Sequence, residues 1–187
     1  MGTPKIRVIS VSLQEKRKNR YTIQLSNGDI FGISRDILFS NPIHVDDILD
    51  CPTIGRLIGL ENLQKVRDSA LTLISYRMRS KKEIGFRLRK KGFAVTQIAS
   101  TIKELEKKGL IDDEKFGLYF ARDNVRRSLL GPIALKHRLK YHFSSFEMIE
   151  KICDNIYQEF PIESLIKKII KKQSLNDLKN NSIIKKR

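Results

Sequence analysis

The sequence predicts a mainly α-helical protein, in which tandem three-helix repeats form an elongated helical array behind a small antiparallel β segment. Three observations predict this fold class. Apolar residues alternate near the N-terminus, adopt helical spacing from residue 64 onward, and recur there with a period of about 50 residues. A chain of 187 residues with 40% hydrophobic residues is long enough for one or two compact domains.

The N-terminal segment, residues 1–60, shows the alternation that is typical of half-buried strands. Successive side chains of a strand point to opposite faces, so a period of two indicates that one face lies on a core. The alternating apolar residues are Ile9, Val11 and Leu13, then Tyr21, Ile23 and Leu25.

A turn signal follows the second of these runs. Asn27-Gly28 favours a type I′ hairpin turn, because both central residues of that turn need a positive φ. Apolar residues at 30–33 continue as a further strand and complete an antiparallel meander over residues 6–33. Asn41-Pro42 then predicts a loop, and a helix is expected to begin near residues 45–47.

Residues 61–111 are predicted to form the first three-helix repeat. Ser80-Lys81-Lys82-Glu83 has the capping-box pattern, in which the serine accepts the N3 amide and the glutamate reaches back. Thr96 is expected to cap the third helix, while Gly92 and Gly109 end the second and third helices. The residues predicted to be buried are Val66, Ala70, Leu73, Ile74, Ile84, Leu88, Ile98, Ile102 and Leu105.

The second repeat is predicted at residues 112–157, and it follows the same plan. Asp112 caps its first helix, Gly131-Pro132 separates the first helix from the second, and Ser144-Ser145-Phe146-Glu147 offers another capping box. Its expected core residues are Phe116, Tyr119, Phe120, Leu135, Leu139, Met148, Ile149, Ile152, Cys153 and Ile156. Residues 158–187 are expected to hold an incomplete third repeat, with Leu165, Ile166, Ile169 and Ile170, and a Lys-rich tail.

Charge is the clearest functional signal, because 37 Lys and Arg residues against 21 Asp and Glu residues give a formal net charge of +16. Such an excess indicates a polyanionic partner and binding that weakens with salt. The other interpretation is a Lys-rich proteome, in which basic charge carries no site. The excess is concentrated in residues 61–187, which hold 29 basic and 15 acidic residues.

Two local clusters make a binding surface the favoured interpretation. The first basic cluster comprises Arg77, Arg79, Lys81, Lys82, Arg87, Arg89, Lys90 and Lys91. The second basic cluster comprises Arg122, Arg126, Arg127, Lys136, Arg138 and Lys140, in the equivalent part of the next repeat. Recurrence at the repeat period predicts a basic track, which Lys167, Lys168, Lys171 and Lys172 extend, although an amphipathic helix explains those four lysines equally well.

Aromatic residues near these clusters could stack on single-stranded bases. Their helical spacing favours core packing for most of them, with Phe86 and Tyr141 as the exceptions. The others are Phe93, Tyr119, Phe120 and Phe143.

Nothing in the sequence indicates catalysis, a cofactor or a metal. Asp112-Asp113-Glu114 is better explained by helix capping and by the helix dipole, and no GxSxG, P-loop or HExxH motif is present. The two cysteines and three histidines are isolated from one another and show no metal-ligand spacing; they are Cys51, Cys153, His44, His137 and His142.

The start of the chain has no secretory signal, and no apolar run approaches the roughly 20 residues that span a bilayer. We therefore expect a monomeric, cytoplasmic, non-enzymatic protein with no membrane partner.

Several motifs occur in a fixed order between Ala70 and Ile156. They are Ser75-Tyr76-Arg77-Met78-Arg79-Ser80 with Glu83, Leu88 followed by Lys91-Gly92-Phe93, Gly109-Leu110-Ile111-Asp112-Asp113 with Phe116, and Gly131-Pro132 with Leu139. In this combination the chain resembles the RecX family of recombinase regulators over roughly half its length. The strands at the N-terminus are also similar to a β segment of longer members. One departure is Tyr141-His142-Phe143, where the family tends to have a Lys-Gly turn.

The resemblance implies a non-enzymatic protein that binds in the groove of the RecA filament on single-stranded DNA. Family members suppress the ATPase, strand exchange and coprotease activities of RecA, and so restrain recombination and the SOS response. The implied partners are therefore the RecA filament and single-stranded DNA, contacted directly or through the filament. The two basic clusters would form the binding surface.

A nucleic-acid-binding module of the helix-turn-helix type is the alternative interpretation. It would need sequence-specific binding to duplex DNA through a recognition helix, usually by a dimer. Asn and Gln, which read base edges, are scarce on the candidate helices, and this scarcity favours the regulator.

Overall fold

The structure, a computed structural model, describes residues 5–15 and 19–184, with side chains up to residue 173. A four-stranded antiparallel sheet precedes a series of helices, which confirms the predicted fold class. The chain between the first two predicted strands and the Lys-rich tail both lie partly outside the described residues. The chain forms two compact units, Met1–Leu71 and Thr72–Arg187.

The elements follow one another along the chain with short connections. The strands are β1 (Lys5–Leu13), β2 (Arg20–Leu25), β3 (Ile30–Ser34) and β4 (Ile48–Asp50). The helices are α1 (Arg35–Ser40), α2 (Cys51–Tyr76), α3 (Lys81–Lys90), α4 (Val95–Lys107), α5 (Asp113–Ser128), α6 (Pro132–Lys140), α7 (Phe146–Glu159) and α8 (Ile162–Ile184).

The sheet has the strand order β3-β2-β1-β4, and its buried residues differ in part from the predicted ones. Ile23 and Leu25 are buried as expected. Ile9 and Leu13 of β1 are about half exposed, because a register shift between Val8 and Ser10 changes which side chains face the core. The residues that β1 does bury are Ile6 and Val8.

The hairpin and the chain after it also depart from the prediction. Only Gly28 has a positive φ (+88°), and its amide donates to the Leu25 carbonyl. This pattern fits a three-residue loop with glycine at the left-handed position, so a type I′ turn at Asn27-Gly28 is wrong. No helix begins at residues 45–47. The segment Ile48–Asp50 instead pairs with β1 as β4, and α2 begins directly after it at Cys51.

The caps of α3 and α4 show where local signals succeed and where they fail. The Ser80 hydroxyl accepts the Glu83 amide at 3.2 Å, as predicted, but the Glu83 carboxylate turns toward arginines instead of reaching back. The N-cap of α4 is Ala94, without a side-chain hydrogen bond, so the prediction of Thr96 is wrong. Gly92 and Gly109 follow the two helices with positive φ, which confirms them as stop signals.

Helices α5, α6 and α7 enclose a core that the sequence predicted well. Asp112 caps α5 by accepting the Lys115 amide, and Gly131 caps α6. The cap of α7 is Ser145, one residue later than the predicted box, because its hydroxyl accepts the Met148 amide. The buried predicted residues are Phe116, Leu135, Leu139, Ile149, Ile152, Cys153 and Ile156. Tyr119 was predicted to be buried, but it is 52% exposed.

The next helix, α8, buries only part of its predicted apolar face. Leu165 is 4% exposed and packs against the α5–α7 core, whereas Ile166 and Ile170 lie at the surface.

Two helical glycines test the packing of this region. A β-carbon at Gly117 of α5 would overlap Ile152 and lie 3.1 Å from Phe143 Cζ, whereas one at Gly85 of α3 would lie 3.5 Å from Ile102 Cδ1. We expect Gly117→Ala to lower the free energy of unfolding by about 1–2 kcal/mol through overpacking. Gly85→Ala should instead raise it by up to ~1 kcal/mol, since alanine favours helix. Urea unfolding of both variants measures this difference, and equal effects would contradict the described packing.

Candidate basic interaction surface

Three arginines of the first basic cluster converge on one carboxylate. Arg77 and Arg87 lie 2.7 and 2.9 Å from Glu83 Oε1, and Arg79 is hydrogen-bonded to the same oxygen. The side chain of Arg79 is only 9% exposed, and its Nε also donates to the Leu73 carbonyl. Arg79 therefore fixes the turn before α3, while Arg77 and Arg87 keep about half of their side chains in solvent.

The arginines set the charge state of Glu83. Burial opposes ionisation of the Glu83 carboxyl, but the hydrogen bond from Arg87 and the charges of Arg77 and Arg79 outweigh it and lower the pKa. The group is thus a carboxylate at neutral pH, and it neutralises one of the three positive charges. The positive charge that Glu83 does not neutralise is exposed at the surface through the half-exposed side chains of Arg77 and Arg87.

The first turn of α3 is joined to the start of α5 through Asp113. The Lys81 amide donates to Asp113 Oδ1 at 2.7 Å, and the Lys81 ammonium lies 2.9 Å from Glu106. Burial raises the pKa of the Asp113 carboxyl although the Lys81 amide and ammonium favour its ionised form. The sequence attributed the acidic triplet to capping and to the helix dipole, and Asp112 does cap α5 while Asp113 and Glu114 lie in its first turn. The link from Asp113 to α3 spans 32 residues and has no local signal.

Lys82 connects the same turn of α3 to the end of α6. Its ammonium donates to the carbonyl of Lys140 at 2.9 Å and contacts that of Phe143 at 3.4 Å. Carbonyls at a helix C-terminus carry partial negative charge, so they are natural acceptors for a cation.

The far end of α3 carries the accessible charge of the first basic cluster. Arg89 donates to the Gly85 carbonyl of its own helix, and the Lys90 ammonium lies 4.9 Å from the centre of the Phe86 ring. Lys91 is the C-cap residue. Within the part of the chain that the structure describes, none of these three cations pairs with a carboxylate.

The second basic cluster is more fully neutralised. Its ion pairs are Arg122 with Glu159 at 2.7 Å, Arg127 with Asp123 at 2.8 Å and Lys136 with Glu150 at 2.5 Å. Arg138 is hydrogen-bonded to Asn124. Arg126 and Lys140 are exposed and have no ion pair among the described residues. The accessible cations of both clusters therefore concentrate near the C-terminal ends of α3, α5 and α6.

The aromatic residues divide as the sequence predicted, apart from Tyr119. Phe86 and Tyr141 are 52% and 80% exposed. His142 packs edge-on against Phe120 with ring centres 4.5 Å apart, and burial lowers the pKa of its imidazole. Two aromatic rings thus stand in solvent beside unpaired cations.

We also searched the described residues for a metal site, a reactive thiol and a membrane-spanning helix. No group of three or more His, Cys, Asp and Glu side chains could hold a metal ion there. Burial raises the pKa of the Cys153 thiol to about 11, which keeps it protonated. Among those residues no helix combines the length and the apolar character that crossing a bilayer requires.

Comparison with known protein families and curated proteins identifies relatives of this chain. Residues 67–105 match the family model described as RecX, first three-helix domain. The Regulatory protein RecX of Oceanobacillus iheyensis is 30% identical over an alignment of 175 positions, and the match covers 88% of this chain and 61% of the relative. That of Listeria monocytogenes is 24% identical over 92% of this chain and 64% of the relative. The chain thus spans about three fifths of the length of these relatives.

Solved structures show the same fold. A crystal structure of regulatory protein RecX aligns with a TM-score of 0.66 at 22% identity, over 86% of this chain and 76% of that one. RecX from Lactobacillus salivarius aligns with a TM-score of 0.54 at 20% identity, over 65% of this chain and 77% of that one.

The Glu83 cluster generates a stability prediction. Glu83→Gln should lower the free energy of unfolding at pH 7 by about 2 kcal/mol, because the buried Arg79 guanidinium loses its counter-charge. Glu147→Gln, at an exposed glutamate in the first turn of α7, is the matched control and should have a small effect. Equal losses in the two variants would contradict the structural role of Glu83.

The same cluster predicts a pH dependence. Because the folded-state pKa of Glu83 is lowered, its contribution to stability is present above its ordinary pKa of 4.5 and is lost as the pH falls through the folded value. Thermal unfolding between pH 7 and pH 3 should therefore show a smaller acid-induced decrease in Tm for Glu83→Gln than for the wild type. Parallel curves would show that the group does not titrate as described.

Proposed function

We propose, from its similarity to RecX proteins, that the chain is a member of the RecX family and a non-enzymatic regulator that binds the RecA filament on single-stranded DNA. Inhibition of the ATPase, strand exchange and coprotease activities of RecA is the expected effect, and recombinational repair and the SOS response are the processes it would restrain. A partner bound to chromosomal DNA would place the chain in the cytoplasm. We further propose that it acts as a monomer without a cofactor.

The observation that carries this proposal is the set of accessible cations at the end of α3. Arg89, Lys90 and Lys91 are consecutive in the chain and exposed, and none of them has a carboxylate partner among the described residues. Arg126 and Lys140 supply similar charge in the following helices. Cations without internal partners remain available to phosphates or to acidic protein side chains, and a nucleoprotein filament offers both.

The domain organisation fits the same proposal. We assign one three-helix repeat to residues 61–111 and a second to residues 112–157, with the β segment at 1–60 and a partial third repeat at 158–187. Two successive repeats would present their cations to neighbouring parts of a filament, which favours binding to a polymer over a single site.

The ssDNA-dependent ATPase of the cognate RecA tests the function. We expect hydrolysis to fall on titration with the chain at fixed salt, with saturation below one molecule per RecA subunit. Binding to the same ssDNA without RecA is measured in parallel. Unchanged hydrolysis together with strong, sequence-specific duplex binding would instead support the helix-turn-helix alternative.

Charge reversal tests the surface. Lys90→Glu with Lys91→Glu should weaken filament binding about tenfold, which corresponds to ~1.4 kcal/mol, because both lysines are accessible. Lys103→Glu with Lys107→Glu on α4 changes the net charge equally and lies outside the two clusters, so it serves as the control. Fluorescence anisotropy on labelled filaments measures both. Equal weakening by the two pairs of substitutions would show that filament binding depends on net charge and not on this surface.

A further inference from the structure

A cleft of about 500 Å³ lies between helices α3 and α4 on one side and the turn from α6 to α7 on the other. Its floor is aliphatic. The residues that form the floor are Gly85, Val95, Ile98, Ala99, Ile102 and Met148. Val95 is 67% exposed, so the aliphatic floor is open to solvent at this position.

Two cations without carboxylate partners border this floor. Lys82 and Arg89 line the cleft, and their described hydrogen bonds go to backbone carbonyls. The third basic residue of the rim, Lys81, is neutralised by Glu106 and Asp113. Burial lowers the pKa of His142, which also lines the cleft, so its imidazole is neutral at pH 7. The rim is therefore positive and the floor is apolar.

The chemistry of the floor favours a protein segment over nucleic acid. Single-stranded DNA is held by exposed aromatic rings on which bases stack, together with cations that follow the phosphates. None of the rings in this unit that are more than half exposed lines the cleft; these are Tyr76, Phe86, Tyr119, Tyr141 and Phe146. Phe143, which does line it, is only 5% exposed. Aliphatic side chains with cations beside them are complementary to apolar side chains flanked by carboxylates.

We propose that this cleft binds a segment of the RecA protein in the filament that presents apolar side chains flanked by Asp or Glu. The proposal rests on the proposed function and adds that separate parts of the surface contact the protein and the DNA of the filament. The cleft, with Arg89 on its rim, contacts the recombinase, whereas Lys90 and Lys91 face the phosphates of the DNA.

Two substitutions test the cleft, each with a matched control outside it. Val95→Asp introduces a carboxylate in the first turn of α4, where the helix dipole favours it, so folding is retained. Ile133→Asp makes the same change at an exposed residue in the first turn of α6. Ala99→Trp fills the cleft, and Ala134→Trp is its counterpart on an exposed position of α6.

The probes are preformed filaments of the cognate RecA on labelled oligo(dT) and the same oligo(dT) alone. We expect Val95→Asp and Ala99→Trp to weaken filament binding at least about tenfold, and to leave binding to free oligo(dT) within about twofold of the wild type. Both controls should behave as the wild type on both probes. Circular dichroism shows that each variant is folded.

Three results would overturn the proposal, and they are distinguishable. Wild-type filament binding by both cleft variants would show that the cleft is not used. Equal loss on filaments and on free oligo(dT) would assign the cleft to nucleic acid. Failure of the wild type itself to bind filaments would reject the proposed function, and the occupant proposed here would be rejected with it.

Discussion

The hydrogen bonds from the first turn of α3 to α5 and α6 are the constraint on which the rest of this helical unit depends. The Lys81 amide donates to Asp113 and the Lys82 ammonium donates to the Lys140 carbonyl, so one turn of helix is tied to the start of α5 and to the end of α6. Both connections join residues that are far apart in the sequence. They place the basic end of α3 and the turn after α6 in one surface, and they leave the cleft between α3, α4 and that turn.

The positive charge of the chain serves two different purposes. Arg79 is nearly buried and shares the Glu83 carboxylate with Arg77 and Arg87, so this part of the first basic cluster stabilises the fold. Lys90 and Lys91 have no such partner among the described residues and remain available to an external anion. The count of 37 Lys and Arg residues therefore overstates the binding surface, because structural ion pairs occupy a substantial part of them.

Sequence patterns predicted the features that depend on residues close together in the chain. The Ser80 cap, the stop signal at Gly92 and the buried Leu88 and Leu139 follow from hydrogen bonding and helical periodicity, and the structure confirms them. Long-range pairing was not predictable in this way. The bulge in β1, the fourth strand and the bond between Lys81 and Asp113 depend on partners elsewhere in the chain. The basic clusters were recognisable from the sequence, but which of their members pair internally depends on the packing of the helices.

A comparison of two equilibrium affinities over a range of salt concentrations tests the central claim most directly. The chain is titrated against cognate RecA–ssDNA filaments and against the same ssDNA without RecA. Contacts with phosphates alone make binding fall steeply with salt, whereas a protein contact adds affinity that depends less on salt. The account predicts tighter binding to filaments at every salt concentration and a shallower dependence of the logarithm of the affinity on the logarithm of salt. Equal affinities with identical slopes would show that the chain recognises only DNA, and would contradict the account.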